Sequence, residues 1–187
     1  MKVVTDFSGY NFKFPFEKYC TRILSCIPDN DLVGIREISF VENFSHPKSD
    51  KNSVANYLQG RDGKDAVIEI HVPNMIEQHV PEYLFETNHE IAGLLISEII
   101  GHEIGHHVHK FKRHKVRKQQ YESFAGQYAR ATYFQYLKSR TSKILSSYNW
   151  ASLNPLLFNK EDRKVFSENR KNLVNWLKAN KQGIEFP

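Results

Sequence analysis

Residues His102-Glu103-Ile104-Gly105-His106 constrain this chain more than any other stretch. They form a His-Glu-x-x-His pattern inside the apolar run Ile91 to Val108, which reads as a helix. A helix turns about every 3.6 residues, so His102 and His106 stack on one face, one turn apart. Two imidazoles so placed can hold one Zn²⁺, with Glu103 close to any water on the metal. The other reading is a core helix carrying two hydrogen-bonded histidines, which has no need of Glu103 between them.

The surrounding residues define that helix. Thr87 and Glu90 have the spacing of a capping box, which predicts a start at Thr87. Ile91, Leu94, Leu95, Glu98, Ile99, His102 and His106 follow at three- and four-residue steps, so the His pair continues a largely buried stripe. Gly101 and Gly105 each cost about 1 kcal/mol in a helix interior. That cost predicts the close approach of another backbone at these two points.

A zinc hydrolase site needs a third protein ligand and an open position for water. A third His six residues after the second is one solution, but Lys112 occupies that place. A Glu from a following helix is the other. Glu122 opens an amphipathic stretch to about Leu137, with Phe124, Ala125, Tyr128, Ala129, Phe134 and Leu137 as its apolar positions. It is also the only acidic residue from Lys110 to Arg140. A surface ion pair with Arg117 or Lys118 is the alternative role.

The stretch His102 to His109, followed by Glu122-x-x-Ala125-x-x-x-Ala129, resembles the gluzincin metallopeptidases, most closely the ImmA/IrrE-like family. The likeness covers about residues 30 to 137; the last fifty residues match nothing nameable. It implies zinc ligands His102, His106 and Glu122, general base Glu103, and a small α+β fold. Related gluzincins often carry Asp or Asn four residues after the ligand Glu, where this chain has Gly126. A partner that orients a ligand His must therefore come from elsewhere.

The chemistry expected of such a site is peptide hydrolysis. Zinc lowers the pKa of a water toward about 7 and polarises a carbonyl. Glu103 accepts the water's proton and passes it to the leaving amine. Zincins commonly add a Tyr or His that stabilises the oxyanion. Tyr128, Tyr133 and Tyr136 on the second helix, and His107, His109 and His114, are the candidates; core packing is the plainer role for each Tyr, and helix capping for His109.

Elsewhere the pattern predicts an N-terminal helix from Pro15 to Ile27 and strands over Leu32 to Phe40, Ser53 to Gln59 and Ala66 to Val72. The last two would form a hairpin around Gly60 to Gly63. The expected fold is α+β: a three-stranded sheet packed on an active-site helix and a glutamate helix. In the architecture that the gluzincin resemblance implies, an edge strand runs beside the metal helix and a peptide substrate can add to it; Val67 to His71 is the candidate, with an ordinary structural strand as the other reading. Ser139 to Asn159 reads as a mixed connection. Lys160 to Asn180 reads as a final helix with Val165, Phe166, Leu173, Val174 and Leu177 inward, and Gly183 ends the ordered pattern.

At 187 residues and 40% hydrophobic content the chain suits one domain, with a core over about 30–137 and a helical extension over about 140–187. It has no apolar run of about eighteen residues and no signal-peptide pattern. Its two cysteines, Cys20 and Cys26, suit a reducing cytoplasm. Six cations crowd Lys110 to Lys118. They read either as a solvated helix end or as a surface for an acidic or polyanionic partner. The expected activity is that of a cytoplasmic zinc metallopeptidase acting on a protein or peptide. The alternative is a metal-bearing regulatory or nucleic-acid-associated module with little or no hydrolysis.

Overall fold

The computed structural model describes residues 1–9, 13–47, 49–60, 65–112, 118–180 and 183–187. Its elements run β1 (Lys2–Asp6), α1 (Phe16–Leu24), α2 (Asp29–Leu32), β2 (Ile35–Val41), β3 (Ala55–Leu58), β4 (Ala66–His71), α3 (Val72–Gln78), α4 (Tyr83–Thr87), α5 (His89–Lys112), α6 (Lys118–Leu153) and α7 (Lys160–Ala179). The class is α+β, but the sheet has four strands rather than three, in the order β1-β2-β4-β3. The additional strand, β1, pairs in parallel with β2, Val3 opposite Ile38. It lies at an edge with no buried residue, so it lacks the apolar alternation that betrays a half-buried strand.

β3 and β4 pair antiparallel, as the hairpin reading requires. The turn residues 61–64 lie outside the described residues. β4 also pairs in parallel with β2, so Val67 to His71 is a central strand and not an edge. Its composition fits that place, because a strand covered on both faces reads as a nearly continuous apolar run. Ile68 and Ile70 are fully buried. The edge beside α5 is β3.

α5 does not begin with a Thr87 capping box. Thr87 ends α4, and its hydroxyl donates to the Tyr83 carbonyl. The Asn88 carbonyl instead accepts the amides of Ile91 and Ala92. Glu90 turns away from the helix end to meet Arg140 and Tyr19. A guanidinium offers a carboxylate a stronger partner than a backbone amide does.

α6 runs on through the segment expected to be a mixed connection and ends at Leu153. α7 packs against α6 through Trp176 on Phe134 and Phe166 on Tyr148. Phe166 and Leu173 are buried as expected, whereas Val165 is exposed. Order also continues past Gly183: Phe186 packs on Tyr128, and Gln135 donates to the Ile184 carbonyl. Cys20 lies in α1 and Cys26 just beyond it, and both are free thiols.

The α5–α6 contact sets the geometry of everything that follows. A Cβ built on Gly105 would stand 2.7 Å from the Ala125 Cα and 2.8 Å from the Tyr128 Cβ. On Gly101 it would stand 2.6 Å from the Thr132 Cβ and 3.0 Å from the Ala129 Cα. The two antiparallel helices thus press backbone against backbone through Gly101 and Gly105 on one side and Ala125 and Ala129 on the other. That is the close approach the glycines predicted.

A second tie between these helices is the Glu90–Arg140 pair, whose side chains are 17% and 16% exposed. Burial works to raise the Glu90 pKa, but Arg140, Tyr19 and Arg22 outweigh it and hold the carboxyl below its ordinary value of 4.5. The pair's contribution is therefore complete above pH 4.5 and is lost as pH falls through the lowered folded-state pKa. Arg140→Ala is expected to cost about 2 kcal/mol at pH 7. Urea unfolding of both proteins from pH 7 to pH 3 checks this. A gap that stays constant across that range would remove the ion pair as its source.

Candidate metal centre

His102 and His106 project from α5 toward Glu122 at the start of α6. The Glu122 Oε2 atom lies 3.5 Å from His102 Nε2 and 3.7 Å from His106 Nε2. Ligand atoms around a tetrahedral zinc with bonds of about 2.0–2.2 Å stand about 3.3–3.6 Å apart. The spacing and the donor set of two imidazoles and a carboxylate therefore fit one zinc ion. Among the described residues, the group of three metal-capable side chains whose ligand atoms all lie within 4.8 Å of one another is His102, Glu103 and His106, and it does not include the half-exposed Glu122.

The electrostatics match that use. Burial lowers the pKa of both rings. For His106 the neighbouring His102 and His109 add to burial and carry it to about 4. For His102, burial outweighs the nearby Glu122. Neutral imidazoles are the form that ligates a metal.

Glu103 is 6% exposed. Burial, and then the Glu122 charge, push its carboxyl up to about 8, against a hydrogen bond from the Tyr57 backbone amide. A cation bound alongside acts in the opposite direction and favours the carboxylate. Glu122 Oε2 lies within 4 Å of both ring nitrogens, while Glu103, also near both rings, accepts a hydrogen bond from the β3 amide. That bond registers the edge strand against α5.

A cleft of about 380 Å³ opens at this point. Val54 and the first β3 residue, Ala55, line its wall, His102 and Glu103 form one side, and Gly126 and Ala129 of α6 face them. A larger hollow of about 780 Å³ beside Trp150 and Leu153 is lined by no His, Cys, Asp or Glu.

Several tyrosines and histidines singled out by the sequence are engaged elsewhere. Tyr128 is buried and donates to Asp31, and Tyr136 is fully buried. Tyr133 packs on Trp176 of α7. His107 bridges the Tyr57 hydroxyl at 3.0 Å and the Val33 carbonyl at 2.8 Å. Only an N–H can face that carbonyl, so Nε2 carries the proton and the Tyr57 hydroxyl donates to Nδ1. His109 is 2% exposed and packs against Tyr121 and Phe124. It lies in the last turn of α5, which ends at Lys112. His114 lies outside the described residues.

The tyrosine that does reach the site is Tyr121, which the sequence reading passed over. It stacks on the His106 ring with centroids 4.2 Å apart and planes 21° from parallel. Its hydroxyl pKa is raised to about 12, first by burial and then by Tyr57, Glu103 and Glu122. Adjacency to Glu122 was the available signal.

Of the basic run, Lys110 stands over the Tyr57 ring at 5.9 Å. Residues 113–117 lie outside the described residues, and with them three of the six cations of the expected surface for an acidic or polyanionic partner. No helix among the described residues is long and apolar enough to cross a membrane.

Comparison with protein-family models, curated proteins and solved structures finds no match to this chain.

Proposed function

We propose that this chain is a zinc-dependent peptidase of gluzincin type, resembling the ImmA/IrrE-like family in its motif pair. The observation that carries the reading is the meeting of His102, His106 and Glu122 from two helices, with Glu103 buried beside them. His102, His106 and Glu122 hold the metal. When bound, it supplies Lewis acidity, polarising a carbonyl and making water acidic enough to attack near neutral pH.

The protein's own groups do the rest. Glu103 takes a proton from the attacking water and returns it to the leaving amine. The Tyr57 amide holds one face of its carboxyl group, so the other is aimed into the cleft. A peptide lies along β3, the edge strand bordering that cleft, and gains backbone hydrogen bonds there. This corrects the earlier placement of the substrate on Val67 to His71, whose backbone is already paired on both sides.

Metal analysis of protein purified without chelator tests the reading. The expected result is about one zinc per chain in wild type and far less in Glu122→Ala, with both proteins folded. Equal zinc in the two would exclude Glu122 as a ligand. No zinc uptake by wild type, even from a buffered excess, would end the proposal. A metal-loaded protein that cleaves nothing in a proteome-wide peptide library would favour the regulatory alternative.

A further inference from the structure

We propose that Tyr121 positions the His106 imidazole for metal binding by ring stacking, in place of the hydrogen bond that usually fixes a ligating histidine. The inference rests on the zinc-site reading above and concerns how this chain holds one of its ligands.

A histidine that ligates through one ring nitrogen normally donates from the other to a carboxylate, carbonyl or water, and that bond sets the ring's orientation. His106 is only 8% exposed, yet its buried Nδ1 has no hydrogen-bond partner among the described residues. Gly126, one turn beyond Glu122, has no side chain to offer one, and nothing lies within 4 Å of where its Cβ would be. Packing has to do what the missing bond does elsewhere.

The packing is specific. Tyr121 covers the His106 face at 4.2 Å, and the His102 ring stands edge-on to it at 4.6 Å and 87°. Tyr121 is itself braced by His109 at 5.3 Å, which packs on Phe124. The His106 ring is held on a face and at an edge, so rotation out of line with His102 Nε2 and Glu122 meets a wall.

The contact also favours the loaded state. A metal draws electron density from an imidazole and leaves the ring more positive, and the π face of tyrosine attracts a positive group. Because Tyr121 and Glu122 are neighbours, the first turn of α6 delivers both a ligand and the brace for a second ligand. Such a brace needs an aromatic face and not a hydroxyl.

The test compares wild type, Tyr121→Phe and Tyr121→Leu. Zinc affinity is read by competition with a chromophoric chelator, and site geometry from the visible bands of the Co²⁺-loaded protein. Tyr121→Phe should keep wild-type cobalt bands and an affinity within about threefold, while Tyr121→Leu should bind zinc about 10–100-fold more weakly with altered bands. Should the leucine variant fail to fold, Tyr121→Met, flexible enough to fill the same space, takes its place.

Wild-type affinity and bands in a folded leucine or methionine variant would overturn the stacking role. A Tyr121→Phe variant as weak as Tyr121→Leu would assign the effect to the hydroxyl and overturn it equally. If wild type itself binds neither ion, the zinc-site reading falls and this inference with it. A loss confined to the comparison among variants leaves that reading standing.

Discussion

Glu103→Gln is expected to slow peptide hydrolysis by about 10²–10⁴-fold while zinc content stays at the wild-type level. An amide fills the same space and can still face the Tyr57 amide through its carbonyl oxygen, so β3 keeps its place beside α5. It has no basic oxygen to accept the water's proton, and the lost step appears in kcat. The metal is expected to stay because its proposed carboxylate ligand is Glu122, which lies within 4 Å of both ring nitrogens. Turnover of a cognate peptide, measured beside zinc content, checks both halves. Wild-type turnover in Glu103→Gln would remove Glu103 as the base, and loss of zinc would make it a ligand instead.

Gly105→Leu is expected to destabilise the protein by more than about 4 kcal/mol and to weaken zinc binding in whatever folds. Leucine is a good helix former, so propensity alone would favour it over glycine. The cost comes from the neighbours: the first added carbon meets the Ala125 backbone at 2.7 Å. A helix backbone cannot yield locally as a side chain can, so α6 has to move as a body and carries Glu122 away from the histidines. Gly126→Ala is the control on the same pair of helices, where an added Cβ meets nothing within 4 Å and should stabilise by about 0.5–1 kcal/mol. Denaturant unfolding of the three proteins decides the matter. A Gly105→Leu protein as stable as wild type would show that the helices are not in contact as described.

Much of this site is legible in the chain itself, because its parts are local. The i, i+4 spacing of His102 and His106 needs only a helix to bring them to one face. The two glycines, costly in a helix interior, announce a close neighbour, and Glu122 stands out as a lone acid ahead of an amphipathic run. Tyr121 carries no such mark: an aromatic next to a carboxylate is ordinary in sequence, and its stacking on His106 exists only once α6 lies across α5. The Thr87 capping box has the right spacing but fails. Arg140, fifty residues further on, captures Glu90, and a long-range ion pair outcompetes a local cap.

The sheet divides in the same way. Ala66 to Val72 is visibly a strand, since β-branched and apolar residues dominate it. Its rank in the sheet was beyond the sequence, because strand order depends on which partners arrive on either side. β1, exposed and five residues long, supplies the parallel neighbour for β2 and shows little pattern of its own. The resulting order puts β4 in the middle and leaves β3 as the edge against α5.

The sequence by itself determined the α+β class, the helix that carries His102, Glu103 and His106, and a following helix that carries Glu122. Each follows from short-range periodicity and the chemistry of single side chains. Only the tertiary structure decided that α6 continues to Leu153, that β3 borders the cleft, that the Tyr57 amide holds Glu103 and that Tyr121 backs His106. Those outcomes depend on contacts between residues far apart in the chain, whose free energies appear only when the backbone of one element is pressed against another.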